Sequence, residues 1–119
     1  MLSNALETIV QAAVMTELAD AKRVHGERYA SPHEGYGVLM EELHEAAVEL
    51  RDLDSLIREQ TVEDLHENDL AGMICDLADV DLLARHLACG AIQVAAVARK
   101  YSETLAAIRE EEAHAQSHS

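Results

Sequence analysis

Apolar positions recur with helical spacing along nearly the whole chain. From Leu2 to about Val24, the residues Leu2, Leu6, Ile9, Ala13 and Val14 share one face of a 3.6-residue repeat. Gly26 closes that stretch, and Arg28-Tyr-Ala-Ser-Pro-His reads as a turn. Ser31 before Pro32 supplies an N-cap with proline at the first helical position, and Glu34 adds an acid to the first turn. A second helix over 33–58 then carries Leu39, Leu43, Ala46, Leu50, Leu53 and Ile57, one continuous stripe that needs a partner helix. Residues 60–69 lose the pattern. Thr61 with Asp64 forms a weak capping box there, while Asn68 and Asp69 are competing caps. Leu70, Ile74, Leu77, Val80, Leu83 and Leu87 resume the helical spacing, Gly90 marks a kink or break, and Ile92 through Ile108 is helical again. Residues 110–119 carry no apolar stripe and are expected to fray into solvent. The pattern predicts one all-α domain over 1–109 followed by an irregular tail over 110–119, with three or four antiparallel helices.

Composition agrees with helices. Hydrophobic residues make up 49% of the 119, yet aromatics only 3%, with three Tyr, no Phe, no Trp and a single Pro. A core of Leu, Val, Ile, Met and Ala suits close-packed helices, whereas strands favour aromatic and β-branched residues. Charge narrows the partners. Nine Lys plus Arg against 23 Asp plus Glu leave −14, a surface that repels phosphate backbones and anionic lipids. Neither nucleic acid nor a membrane is expected as partner, and no uninterrupted apolar run approaches the roughly 18 residues of a membrane span. The two cysteines, Cys75 and Cys89, form no CxxC pair, and read as reduced, buried small hydrophobes of a cytoplasmic protein.

Candidate chemistry lies in the acids. Glu42, Glu45 and Glu49 fall within an arc roughly 60° wide, beside Val38, Leu53 and Leu56 at the margin of the apolar stripe. Carboxylates beside apolar groups cost free energy unless a cation or donor meets them. Asp76-Leu-Ala-Asp79 places a second pair of acids one turn apart. A reversal near Gln60 and Thr61 would bring Glu45 level with Asp76 and Glu42 with Asp79. Four facing carboxylates repel one another without metal, and hard divalent cations, Mg²⁺ or Mn²⁺, are their natural occupants. The ligands expected on this register are Glu42, Glu45, Asp76 and Asp79. A reversal near residues 67 and 68 would instead set Gly90 and Gln93 opposite the first acid pair and leave the second half-site empty of acids. The scarce basic residues nearest the acids, Lys22, Arg23, Arg28 and Arg51, read as ion-pair partners of neighbouring Glu or as phosphate contacts, and Tyr36 as a half-buried tyrosine.

Glu41-Glu-x-x-Glu45 followed by Asp76-Leu-Ala-Asp79-Val resembles the all-α nucleoside triphosphate pyrophosphohydrolases, the MazG-like family. Ser31-Pro-His-Glu-Gly-Tyr-Gly-Val-Leu-Met-Glu-Glu-Leu-His-Glu and Ile92-Gln-Val-Ala-Ala-Val-Ala-Arg are similar to its phage-type branch, and the resemblance spans roughly residues 17–100. Asp76 stands where the family has Glu, one methylene longer. The resemblance implies a helical bundle completed as a homodimer or homotetramer. It also implies Mg²⁺-dependent hydrolysis of a nucleoside triphosphate to monophosphate and pyrophosphate, with Glu49 as outer ligand or water-orienting base. Two other readings compete. One is a catalytically degenerate interaction module of the same fold. The other is a carboxylate di-iron bundle built on Glu41-x-x-His44 and Glu63-x-x-His66, although Glu41 and Glu42 point to different sides.

Overall fold

The computed structural model describes residues 3–117, and every regular element among them is helical. Helix α1 spans Asn4–His25 and α2 spans Pro32–Ser55; a π-helical stretch, Leu56–Thr61, leads into the short α3, Val62–His66, and α4 covers Leu70–Ser117. The all-α expectation holds. Leu2, the first apolar position of the expected first helix, lies outside the described residues. The chain divides into two compact units, Met1–Glu42 with Ile92–Ser119, and Leu43–Ala91.

Local signals set the boundaries in the first unit. Ser3 caps α1 by accepting the Leu6 amide at 3.1 Å, and Gly26 ends it at φ 93° with its own amide donated to the Lys22 carbonyl. A positive φ at that position suits glycine, which has no Cβ to clash. Ser31 begins α2 as expected, its Oγ accepting the Glu34 amide at 3.1 Å while Glu34 Oε1 accepts the Ala30 amide at 3.2 Å. Val14 and Leu18 of α1 bury themselves on Ala96 of α4, with Ile92 and Ala95 beside them. Lys22 reaches Glu103 at 2.7 Å, so α1 and the last third of α4 run parallel. The opening turns of α2 run against them: the Tyr101 hydroxyl donates to the Pro32 carbonyl at 2.7 Å, and the Tyr101 ring lies on Gly35. Tyr29 meets that ring edge-on, centroids 6.3 Å apart. Tyr36, expected half-buried, is 57% exposed instead.

The second unit is a helical hairpin. Its reversal falls at Glu67–Asp69 and not at Gln60–Thr61, because the chain stays helical through the π stretch and α3. Asn68 leaves the right-handed region at φ 55°, the Asn68 amide closes on Leu65 and the Asp69 amide on Asp64. Thr61 does not cap; its hydroxyl donates to the Leu56 carbonyl inside the π stretch. Asp69 is the cap of α4, its Oδ1 accepting the Gly72 amide at 2.9 Å. Helix α4 passes Gly90 without a break and continues through Ser117, where an irregular tail was expected; His118 and Ser119 lie outside the described residues. An Arg28–Glu111 ion pair at 2.8 Å holds part of that extension, which is otherwise exposed.

Apolar surface in the hairpin is largely uncovered. Leu50, Leu65, Leu70, Ile74 and Leu77 are each more than half exposed, and the only buried residues between 43 and 91 are Asp76 and Gly90. Cys75 and Cys89 lie on the same uncovered helix and are exposed, contrary to the expectation of burial. By length and composition α4 is apolar enough to cross a membrane, with 11% of its most apolar stretch buried. A helix flanked by further helices has the same composition.

Gly35 offers a test of the first unit's packing. A Cβ there would overlap the Tyr101 ring, which its hydroxyl and Tyr29 hold in place. Gly35→Ala is expected to cost about 1–3 kcal/mol by overpacking, measured by chemical denaturation. A helix-interior Gly→Ala change without the clash would stabilise.

Candidate functional site

The hairpin register decides which acids meet. Gln60 Nε2 donates to Asp76 Oδ1 at 3.2 Å, and Glu49 with Ala46 faces Gly90. Asp76 is thus level with the π stretch and α3. Glu45 lies roughly four helical turns earlier, ~22 Å along the axis from Gln60. The expected pairing of Glu45 with Asp76 does not form, and Asp79 and Glu45 are both exposed on the surface of the second unit. Glu42 belongs to the first unit. Among the described residues no group of three or more His, Cys, Asp or Glu is arranged to hold a metal ion.

Three carboxylates converge near the turn. Asp76 is 3% exposed, its Oδ1 accepts from Gln60, and its Oδ2 has no hydrogen-bond partner. Asp64 and Asp69 both crowd the face of Gly72, one turn before Asp76 on α4. The carboxyl of Asp76 is pushed up to about 6, first by the neighbouring Asp64 carboxylate, then by burial and by the charges of Asp79 and Asp69. Glu49 is half-buried, and its Oε2 rests against Gly90 without a hydrogen-bond partner. An acid at position 90 would compete with Glu49 for that space.

A second site lies wholly within the first unit. A cavity of about 620 Å³ is walled by Glu17 and Asp20 of α1 and by Glu34, Glu41 and Glu42 of α2, with Gln93 and Lys100 of α4 opposite. Lys100 is 2% exposed, and its ammonium sits 4.4 Å from the Tyr29 ring centroid, a cation–π contact that offsets part of its desolvation. Thr104, fully buried, ties the two together: its Oγ1 accepts the Tyr29 amide at 3.1 Å and donates to the Lys100 carbonyl. Burial, then Glu42 and Glu34, raise the Tyr29 phenol above its ordinary range, so it remains protonated at neutral pH. The cavity can present carboxylates to a cation at its walls. It also holds one cation at its floor.

The sequence reading missed Lys100, Thr104 and Tyr29. A signal was present: Ile92, Ala96, Lys100 and Thr104 follow one another at i,i+4 on a single face, so a lysine and a threonine interrupt a core stripe. Of the basic residues singled out instead, Arg23 pairs with Asp20 at 2.6 Å at the surface, and the partly buried Lys22 pairs with Glu103. No protein-family model, curated protein or solved structure matches this chain.

Thr104→Val tests the polar anchor. It keeps the volume but strands the buried Tyr29 amide, and the expected loss is about 1–3 kcal/mol by chemical denaturation. A loss below ~0.5 kcal/mol would mean that water replaces the hydroxyl.

Proposed function

We propose that this chain is a helical interaction module of the pyrophosphohydrolase-like type that lacks the second metal half-site and does not hydrolyse nucleotides. The observation that carries this reading is the register of the hairpin. With the turn at Asn68, the position facing the Glu-bearing helix at Glu49 and Ala46 is Gly90, not an acid. Asp76 and Asp79 lie toward the closed end of the hairpin instead. A divalent cation needs several converging oxygens, and a glycine side chain supplies none.

Hydrolysis is the second reading, and one observation favours it. Glu41, Glu42 and Lys100 line one cavity in the first unit, which would give a Mg²⁺-bound triphosphate both carboxylates and an ammonium. The two readings separate in a single assay of pyrophosphate release with Mg²⁺ or Mn²⁺ across normal, deoxy and damaged nucleoside triphosphates. No release above buffer is expected. Turnover that disappears in Glu42→Gln or Glu45→Gln would overturn the non-hydrolytic reading and restore the metal site.

The working surface of the module is the hairpin's uncovered apolar face, and its partner is a second copy of the chain, as homodimer or homotetramer. Leu70, Ile74 and Leu77 form one stripe at i, i+4 and i+7, with exposures of 64%, 70% and 54%. Such a stripe contributes stability only when another helix covers it. The acidic surface supports a cytoplasmic setting without nucleic acid or membrane as partner. Sedimentation of the wild type is expected to show a dimer or larger, and Ile74→Lys to shift it to monomer. A wild type that remains monomeric at high micromolar concentration would remove self-association.

A further inference from the structure

The cavity of the first unit sets one buried cation against a wall of acids. Lys100 lines that cavity and is 2% exposed, so the cavity is where its ammonium can be reached. The ammonium rests on the Tyr29 ring, 4.4 Å from the centroid, and Lys100 is in none of the ion pairs of the described residues. An ammonium carries three donors, and a ring face meets it from one side only. A buried charge is costly without an anion, so the remaining donors call for an anionic group inside the cavity. Tyr29, 8% exposed, lines the same floor, and Thr104 fixes both residues through the Tyr29 amide and the Lys100 carbonyl. The walls call for the reverse. Glu17 of α1 and Glu34 and Glu41 of α2 line them, and none is ion-paired among the described residues. No three acids among those residues are arranged to hold a metal ion; their charges are spread along the cavity, which suits an extended organic cation.

We propose that this cavity binds a free amino acid with a basic side chain, its α-carboxylate on Lys100 and the Tyr29 hydroxyl, its cationic groups on Glu17, Glu34 and Glu41. A bare anion would meet Lys100 but be repelled by the walls. A bare polyamine would suit the walls but be repelled at the floor. A zwitterion with one extra positive charge satisfies both ends. At about 620 Å³ the cavity is of the size that takes small organic molecules, and Val38 and Val97 give it apolar wall for the ligand's methylenes. All of these residues belong to the first unit, so the site is independent of what covers the hairpin.

The test is calorimetric titration of the full-length protein at neutral pH with L-arginine, L-citrulline, L-argininamide and putrescine. Arginine is expected to bind with a dissociation constant below about 1 mM. Citrulline replaces the guanidinium by a neutral group of the same shape, and argininamide lacks the carboxylate. Each should bind at least about tenfold more weakly than arginine, the loss of one charge-assisted hydrogen bond. Lys100→Met should erase the preference for arginine over argininamide, with circular dichroism confirming that the variant is folded. Absence of arginine binding at about 10 mM would overturn the proposal. So would argininamide, citrulline or putrescine binding as tightly as arginine in the wild type, a comparison that needs no variant to fold. A folded Lys100→Met protein that still prefers arginine over argininamide would overturn it as well.

Discussion

A right-handed helix cannot turn back until one residue leaves the right-handed region of backbone space, and side chains with a Cβ resist the left-handed alternative. In this chain Asn68 takes that step, at φ 55°, and asparagine tolerates it better than most residues. Everything in the second unit depends on that location. In an antiparallel hairpin, moving the turn by one residue shifts the level pairing by two. A turn displaced from Gln60 to Asn68 therefore carries Asp76 away from Glu45 and delivers Gly90 to Glu49. One backbone angle thus decides whether two acid motifs form a metal site or lie apart.

Local features of the fold were legible in the sequence because their causes are local. The Ser31–Pro32–Glu34 cap and the Gly26 stop need only neighbouring atoms, and both form as read. The reversal was not legible. Thr61 with Asp64, and Asn68 with Asp69, offer caps of similar local strength. The choice is made by helix continuing through a π stretch, where Thr61 bonds back to Leu56 and no longer faces a helix start. A bulge of that kind adds a residue to one turn without leaving a signature in the apolar spacing. The candidate ligands followed the turn: their intrahelical spacing was correct, and their partners across the hairpin were not. Lys100 was missed for the opposite reason. Its position was legible on the core face, but a lysine there is read as an exception until Tyr29 and Thr104 are seen around it.

The two units bury different things. The first has an apolar nucleus in Val14, Leu18 and Ala96, extended by a polar anchor whose donors and acceptors are matched. In the second, burial falls on a glycine and a carboxyl. A hairpin that covers Asp76 while leaving Ile74 and Leu77 open gains little from the hydrophobic effect on its own. Helical stability in proteins comes chiefly from packing an apolar face, and the second unit leaves most of its own apolar face unpacked.

Charge sets the terms on which it can be covered. At −14 the chains repel one another at long range, but that repulsion is screened within about 10 Å at moderate salt, while apolar contact acts at touching distance. Leu70, Ile74 and Leu77 sit at the start of α4, close in sequence to Asp64, Asp69, Asp76 and Asp79. Covering that stripe would lower the dielectric around the acids and raise the cost of ionising them. The uncovered stripe and the under-donated carboxyls are two consequences of one arrangement: an acidic turn closing a hairpin that has no core of its own.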